Sequence, residues 1–208
     1  MISLSVDLAH QPVVVVGGGK VASKRVRLLQ EEKARVTVVS PTVTNELKQR
    51  VEAGEIRWLN RSFEASDVRN VFLLVIATDD GDTNDSIARL ANGVPLVNRA
   101  DGGTGGNLQI PAQLSRGKLN LSVTTQGASP KLASRLREEW EKQFPPAYEE
   151  YVDFLYECRH MLKASPLSGT EKDHYLERML DPSYLEQEKQ WGMKDEIHNK
   201  GGGTICQD

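Results

Sequence analysis

The sequence predicts an α/β protein, a doubly wound parallel sheet with helices on both faces, followed by a smaller and mainly helical part. Three observations carry this expectation. Val13-Val14-Val15-Val16 is a wholly apolar, β-branched run that ends in glycines, the pattern of a strand buried on both faces. Segments of strand and helix character then alternate as far as Asn98, which is how βαβ units read in sequence. From Ser129 onward the apolar residues recur at helical spacing, so helix dominates the remainder.

Each element follows from its local pattern. Between Lys20 and Glu32, Ala22, Val26 and Leu29 recur at helical spacing, while Lys20, Lys24 and Arg27 form a basic stripe elsewhere on the same helix. Val36 to Val39 is the next strand, and a helix is expected from about Val43 to Ala53. Strands at Ile56 to Leu59 and Val71 to Ala77, a helix at Thr83 to Asn92 and a strand at Leu96 to Asn98 complete the alternation. A glycine-rich stretch, Asp101 to Gly106, then leads into Leu108 and Ile110. Leu119, Leu121 and Val123 alternate with Asn120, Ser122 and Thr124, predicting a one-sided strand whose apolar face meets either the core or a second subunit. Ser129-Pro130 sets a capping residue before a proline at the first helical position, and Leu132, Leu136 and Trp140 continue that helix towards Pro145-Pro146. Tyr148, Val152, Leu155, Cys158 and Leu162 mark another helix, followed by shorter pieces broken near Pro166 and Pro182. The last stretch, Gly201 to Asp208, is expected to be disordered.

Composition narrows the function classes. A chain of 208 residues builds one full core and an appendage. Hydrophobic residues at 38% and charged residues at 26% describe a globular protein rather than a disordered or membrane one. No apolar run approaches the roughly 20 residues of a spanning helix, and Met1 to Gln11 lacks a basic flank followed by a long apolar stretch, so a cytoplasmic protein is expected. The net charge of −3 argues against general nucleic-acid binding, which runs on clustered Lys and Arg. Cys158 and Cys206 lie far apart in unlike settings, and neither they nor His10, His160, His174 and His198 show metal-ligand spacing, so neither a disulfide framework nor a metal centre is expected. P-loop and G-x-S-x-G patterns are absent from the sequence, which leaves nucleotide hydrolysis and serine nucleophiles without support.

Gly17-Gly18-Gly19-Lys20-Val21-Ala22 reads G-x-G-x-x-A between a predicted strand and a predicted helix. In dinucleotide-binding units the first such glycine permits the tight turn and the second lets backbone approach a pyrophosphate. The small third residue lets the helix pack on the strand, and the amides of the helix N-terminus then face the phosphates. Dinucleotide binding is the expected role of Gly17 and Gly19; a purely structural turn is the plainer alternative. The acidic residue that usually grips the adenosine ribose is missing, and Ser40-Pro41-Thr42 stands in its place with no adjacent arginine for a 2′-phosphate. Ser40, Thr42 and local backbone would then serve the ribose, and NAD is the expected cofactor.

The carboxyl edge of such a sheet, where ligands bind, receives Asp79, Asp80, Asn98, Arg99 and Asp101. Capping the following helix accounts for Asp79 and Asp80. Asp101 follows a strand, opens the glycine-rich loop and has no evident helix to cap; turn formation is its plainer reading. Lys20, Lys24, Arg99, Arg116, Lys118, Lys131 and Arg135 stand near predicted strand ends or helix starts, and two or three of them are expected to hold anionic groups of a ligand, the arginines by bidentate contact.

Several segments taken in order resemble the precorrin-2 dehydrogenases, and most closely the free-standing bacterial form. They are Val15 to Lys24, Val36-Thr37-Val38-Val39-Ser40-Pro41, Ala77-Thr78-Asp79-Asp80, Val97-Asn98, Asn107 to Ala112 (NLQIPA), Arg116-Gly117-Lys118-Leu119 and Ser122 to Leu132 (SVTTQGASPKL). The resemblance implies NAD-dependent oxidation of precorrin-2 to sirohydrochlorin in siroheme biosynthesis. It also implies a Rossmann-like NAD-binding domain over residues 1–112, a dimerisation region over 113–145 through which two chains interlock, and a helical domain over 146–208. By the same resemblance Lys20-Val21 and Pro41-Thr42 line the NAD site, and Asp101 matches the active-site aspartate. Hydride loss from a reduced tetrapyrrole is matched by loss of a proton, and Asp101 is the candidate base, a role that typically contributes about 10²- to 10⁴-fold. Where many members read D-x-x-x-x-N-F, this chain has Asp101-Gly-Gly-Thr-Gly-Gly-Asn107-Leu108, and the added glycines predict a flexible setting for Asp101. Two other readings stay open. One is a bifunctional enzyme that also inserts iron, against which stands the absence of histidine between His10 and His160. The other is a non-catalytic NAD-sensing module, which needs no base.

Overall fold

The computed structural model describes residues 2–200; Cys206 and the C-terminal stretch expected to be disordered lie outside the described residues. The contacts divide the chain into two units, Met1–Ile110 and Pro111–Asp208. In the first, β1 (Pro12–Val16), α1 (Lys20–Glu31), β2 (Arg35–Val39), α2 (Asn45–Glu52), β3 (Arg57–Leu59), β4 (Leu73–Ile76), α3 (Gly81–Leu90) and β5 (Leu96–Arg99) alternate as the sequence predicts. The five strands are parallel in the order β3-β2-β1-β4-β5.

β1 sits in the middle of the sheet, with Val13 level with Val36 on one side and Leu73 on the other. Val13 and Val15 pack with Ala22, Val26 and Leu29 of α1 and Leu47 of α2, while Val14 and Val16 join Leu74, Ile76 and Ile87 on the opposite face. Burial on both faces explains why the run shows no polar alternation, and each such side chain contributes about 1.5–3 kcal/mol. Helix starts follow their caps. Thr44 accepts from the Leu47 amide at 3.3 Å and shares a 2.8 Å hydrogen bond with Ser23, which sets the start of α2. Asp80 accepts from the Thr83 amide at 2.7 Å, so α3 begins at Gly81, two residues before the expected Thr83.

The second unit opens with an antiparallel hairpin, β6 (Ala112–Arg116) and β7 (Leu119–Val123). β7 was legible from its alternation; β6 was not, because Leu114 is its one buried apolar residue. α4 (Pro130–Gln143), α5 (Tyr148–Ala164), α6 (Gly169–Arg178) and α7 (Gln187–Lys200) follow. Phe154, Cys158 and Leu162 of α5 pack with Met179 and Ile197, and the Tyr151 hydroxyl donates to the Met179 carbonyl at 2.8 Å. Burial pushes the Cys158 thiol up to about 11. No helix among the described residues is long and apolar enough to cross a membrane.

Candidate active site

The connections leave β1 and β4 in opposite directions across the sheet, so a crevice opens at the carboxyl ends of these two strands, the usual ligand position in open α/β sheets. It is a cleft of about 800 Å³. The residues singled out in sequence come together here from three distant places: Gly17, Gly19, Lys20 and Val21 after β1, Ser40, Pro41 and Thr42 after β2, and Asp101 after β5. Asp79 and the cap Asp80 form part of the same wall.

The three glycines of the first turn do different work. Gly17 has φ +118°, and a Cβ there would lie 2.3 Å from the Ala77 carbonyl oxygen; a Cβ on Gly18 would lie 1.9 Å from the Thr42 oxygen. Both are required by the packing of neighbouring loops. A Cβ on Gly19 would meet nothing within 4 Å, and Gly19 is the cap position of α1 with no side chain bonded to the first-turn amides. Packing therefore explains Gly17 and Gly18 but not Gly19. An open approach to free helix amides fits a pyrophosphate.

Ser40 turns out to be a builder of the cleft. It is buried, its hydroxyl donates to the Thr42 carbonyl at 2.7 Å, and its own carbonyl accepts from Trp58 Nε1 at 2.9 Å. The loop after β2 presents no cation: Ser40, Pro41, Thr42, Val43 and Thr44 line the cleft there. Arg61, which precedes the lining residue Ser62, is held by Asp67 through bonds of 2.7 and 2.8 Å.

Asp101 is held from several sides. Arg99 grips it as a fork, Nε to Oδ1 at 3.0 Å and Nη2 to Oδ2 at 2.6 Å. The Gly103 amide donates to Oδ1 at 3.1 Å and Asn84 Nδ2 to Oδ2 at 3.0 Å. The Arg99 guanidinium, aided by the Gly103 and Asn84 donors and opposed by burial, holds the Asp101 carboxyl far below the usual carboxylate range. Arg99 also donates to Asp85 of α3 and to the Thr104 carbonyl at 2.8 Å, and its two carboxylate partners raise its own pKa. At the far end of the loop Asn107 accepts from the Val97 amide at 2.7 Å and donates to the Pro95 carbonyl at 2.9 Å. The loop is thus braced by Arg99 and Asn107, contrary to the flexible setting that its glycines suggest.

The remaining cations divide. Arg99 has a side chain only 5% exposed and is engaged by Asp85 and Asp101, so it is not free to meet a substrate carboxylate. Arg116 donates to the Phe144 and Ser115 carbonyls, Lys118 pairs with Asp153, and Arg135 pairs with Glu139 at 3.1 Å. Lys20 lines the cleft, and Lys24 and Lys131 are exposed. Sequence reasoning missed Asn84, which is 1% exposed and ties Asp101 to Thr78 through a 2.6 Å bond from the Thr78 hydroxyl; it sits in the polar stretch Gly81-Asp82-Thr83-Asn84-Asp85-Ser86, where no pattern sets it apart.

Comparison with known proteins agrees with this geometry. Residues 4–112 match the model of an NAD(P)-binding family, and residues 148–191 match that of the SirC C-terminal domain. The precorrin-2 dehydrogenase of Priestia megaterium is 37% identical over 184 residues, covering 88% of this chain and 91% of the relative. The siroheme synthase of Actinobacillus succinogenes is 34% identical over 84% of this chain, which corresponds to 37% of that longer protein. A solved structure of SirC, a precorrin-2 dehydrogenase, matches with a TM-score of 0.81 and 36% identity, covering 96% of this chain and 100% of that one. Fold, cleft and similarity along nearly the whole chain agree, and the chain belongs to the precorrin-2 dehydrogenase family.

Proposed function

We propose that this chain oxidises precorrin-2 to sirohydrochlorin with NAD, as a cytoplasmic homodimer in siroheme biosynthesis. The observation that carries the reading is the meeting, in one cleft, of the open approach at Gly19 with the Asp101 carboxylate. When bound, NAD supplies the hydride acceptor. Gly17 and Gly19 let the turn lie against the pyrophosphate, the Lys20 ammonium offers it a cation, and Val21, which is 49% exposed, gives an apolar wall. Pro41 and Thr42, set by buried Ser40, flank the ribose. Asp101 is the carboxylate at the reacting end of the cleft.

NAD is favoured over NADP because the loop after β2 offers no guanidinium or ammonium to a 2′-phosphate. The dimer is supported by the hairpin. Among the described residues β6 and β7 pair only with each other while α4 and α5 pack against them, so each strand keeps one edge with unpaired backbone groups that a second copy could extend; residues 113–145 are the region that the family resemblance gives to the interface.

The test pairs binding with kinetics. Calorimetric titration of NAD against NADP should favour NAD by about tenfold or more, equivalent to 1.4 kcal/mol. Asp101→Asn should lower kcat for precorrin-2 by about 10²-fold with NAD affinity unchanged. An Asp101→Asn variant with wild-type turnover would show that the carboxylate has been misassigned.

A further inference from the structure

Granting the proposed oxidation, the geometry around Asp101 says how that residue takes part in it. An ionised carboxylate has about four lone-pair sites. Here each oxygen accepts two bonds, Oδ1 from Arg99 Nε and the Gly103 amide, Oδ2 from Arg99 Nη2 and Asn84 Nδ2. Every site is filled by a group that brings its own hydrogen, so an arriving proton has to expel a donor. The donors are built in: Asn84 is 1% exposed and the Arg99 side chain 5%. Arg99 is fixed in turn by Asp85 and the Thr104 carbonyl. Gly103 is part of the fit, since a Cβ there would lie 2.2 Å from Arg99 Nη2 and 2.5 Å from Cζ.

We propose that Arg99 is a positioning residue that fixes Asp101 as a standing anion at the rim of the cleft, where it stabilises positive charge on the substrate instead of accepting the proton. One C–H bond of the tetrapyrrole breaks, and its electron pair leaves with the hydrogen to NAD, so the macrocycle loses two electrons and carries one positive charge. That charge is discharged when an N–H proton passes to water; the sum is precorrin-2 and NAD⁺ giving sirohydrochlorin, NADH and H⁺. A pre-aligned anion lowers the barrier to the first event, an effect of about 10²- to 10³-fold for comparable fixed groups. The charged or polar groups facing Asp101 are Arg99 of β5, Asn84 of α3 and the loop amide; Arg99 also faces Asp85, and Asp79, Asp80 and Lys20 line the same cleft.

Two variants disturb the fork in different ways. Arg99→Lys keeps the positive charge without the fork, and Gly103→Ala displaces the guanidinium without changing any charged group. In the cofactor-free full chain, the ¹³C signal of the Asp101 carboxyl should show no inflection between about pH 4.5 and 8, and Arg99→Lys should move its midpoint upward. Both variants should lower kcat for precorrin-2 about tenfold or more, with KM for NAD within about twofold. A wild-type inflection inside that pH range overturns the proposal. So does a rise in kcat in either variant, because loosening the donors makes Asp101 a stronger base. If Arg99→Lys does not fold, Gly103→Ala and the wild-type titration decide. A wild-type enzyme that forms no NADH from precorrin-2 sinks the parent reading, and the anion's role with it; the outcomes above sink the inference alone.

Discussion

Replacing Gly17 and Gly19 in turn by alanine separates the two demands on the first turn. At Gly17, φ is +118° and the new Cβ would stand 2.3 Å from the Ala77 carbonyl oxygen, where ordinary contact begins at 3.4 Å. Neither side yields easily, because the Ala77 amide is bonded to the Val16 carbonyl at 2.8 Å and the Gly17 amide to the Val39 carbonyl at 3.0 Å. Backbone strain of about 1–3 kcal/mol and overpacking of about 1–3 kcal/mol together reach about 2–6 kcal/mol, a large share of a typical stability of about 5–15 kcal/mol. At Gly19, φ is −84° and no atom lies within 4 Å of the new Cβ. Gly19→Ala should therefore cost less than about 1 kcal/mol as a poorer cap, yet its methyl enters the path of the pyrophosphate and should weaken NAD binding about tenfold or more. The assay is urea unfolding read at Trp58, with Trp140 and Trp191 changed to Phe, beside calorimetric titration of NAD. A Gly17→Ala loss under about 1 kcal/mol, or NAD affinity in Gly19→Ala equal to wild type, would refute the reasoning.

Three further outcomes follow from the second unit. Ser129→Ala removes the acceptor of the Leu132 amide, a bond of 3.2 Å, and should lower stability by about 1 kcal/mol; an unchanged melting temperature contradicts the capping role. Arg178, followed by burial working the other way and by the Tyr175 hydroxyl, holds the Glu196 carboxyl down at about 2 against an ordinary 4.5. A carboxyl lowered by folding stabilises above its ordinary value, so this contribution is intact above pH 4.5 and lost as pH falls towards 2. Arg178→Met should flatten the acid dependence of stability in that window, as acid titrations of unfolding would record. Cys158 is fully buried with its thiol pushed up to about 11, so mass-resolved labelling at this residue should be slow at pH 7 and fast in denaturant; rapid native labelling would contradict its burial.

The sheet was legible because burial on both faces leaves an unbroken apolar run, as in Val13–Val16, and because caps such as Ser129-Pro130 are local signals. β6 escaped notice because its stability lies in pairing with β7 rather than in its own pattern. At the site, the glycine turn and Asp101 were legible from their places after strands. What the side chains do to each other was not. Ser40 lines the cleft, as its place after β2 suggests, but the bond of its hydroxyl to the Thr42 carbonyl has no signal in the sequence; Arg99 reads as a substrate cation until it is found buried against two aspartates. Asn84 carries no sequence signal, since its importance comes from α3 and β5 meeting in space. The glycines after Asp101 suggest freedom, whereas Gly103 is small so that a guanidinium can lie against it.

The central claim is tested most directly by anaerobic turnover of precorrin-2 by the wild-type chain with NAD, following NADH and the sirohydrochlorin spectrum in one cuvette. The account predicts that both appear together, one NADH for each sirohydrochlorin, and that NADP replaces NAD poorly. NAD bound with no NADH formed would contradict it.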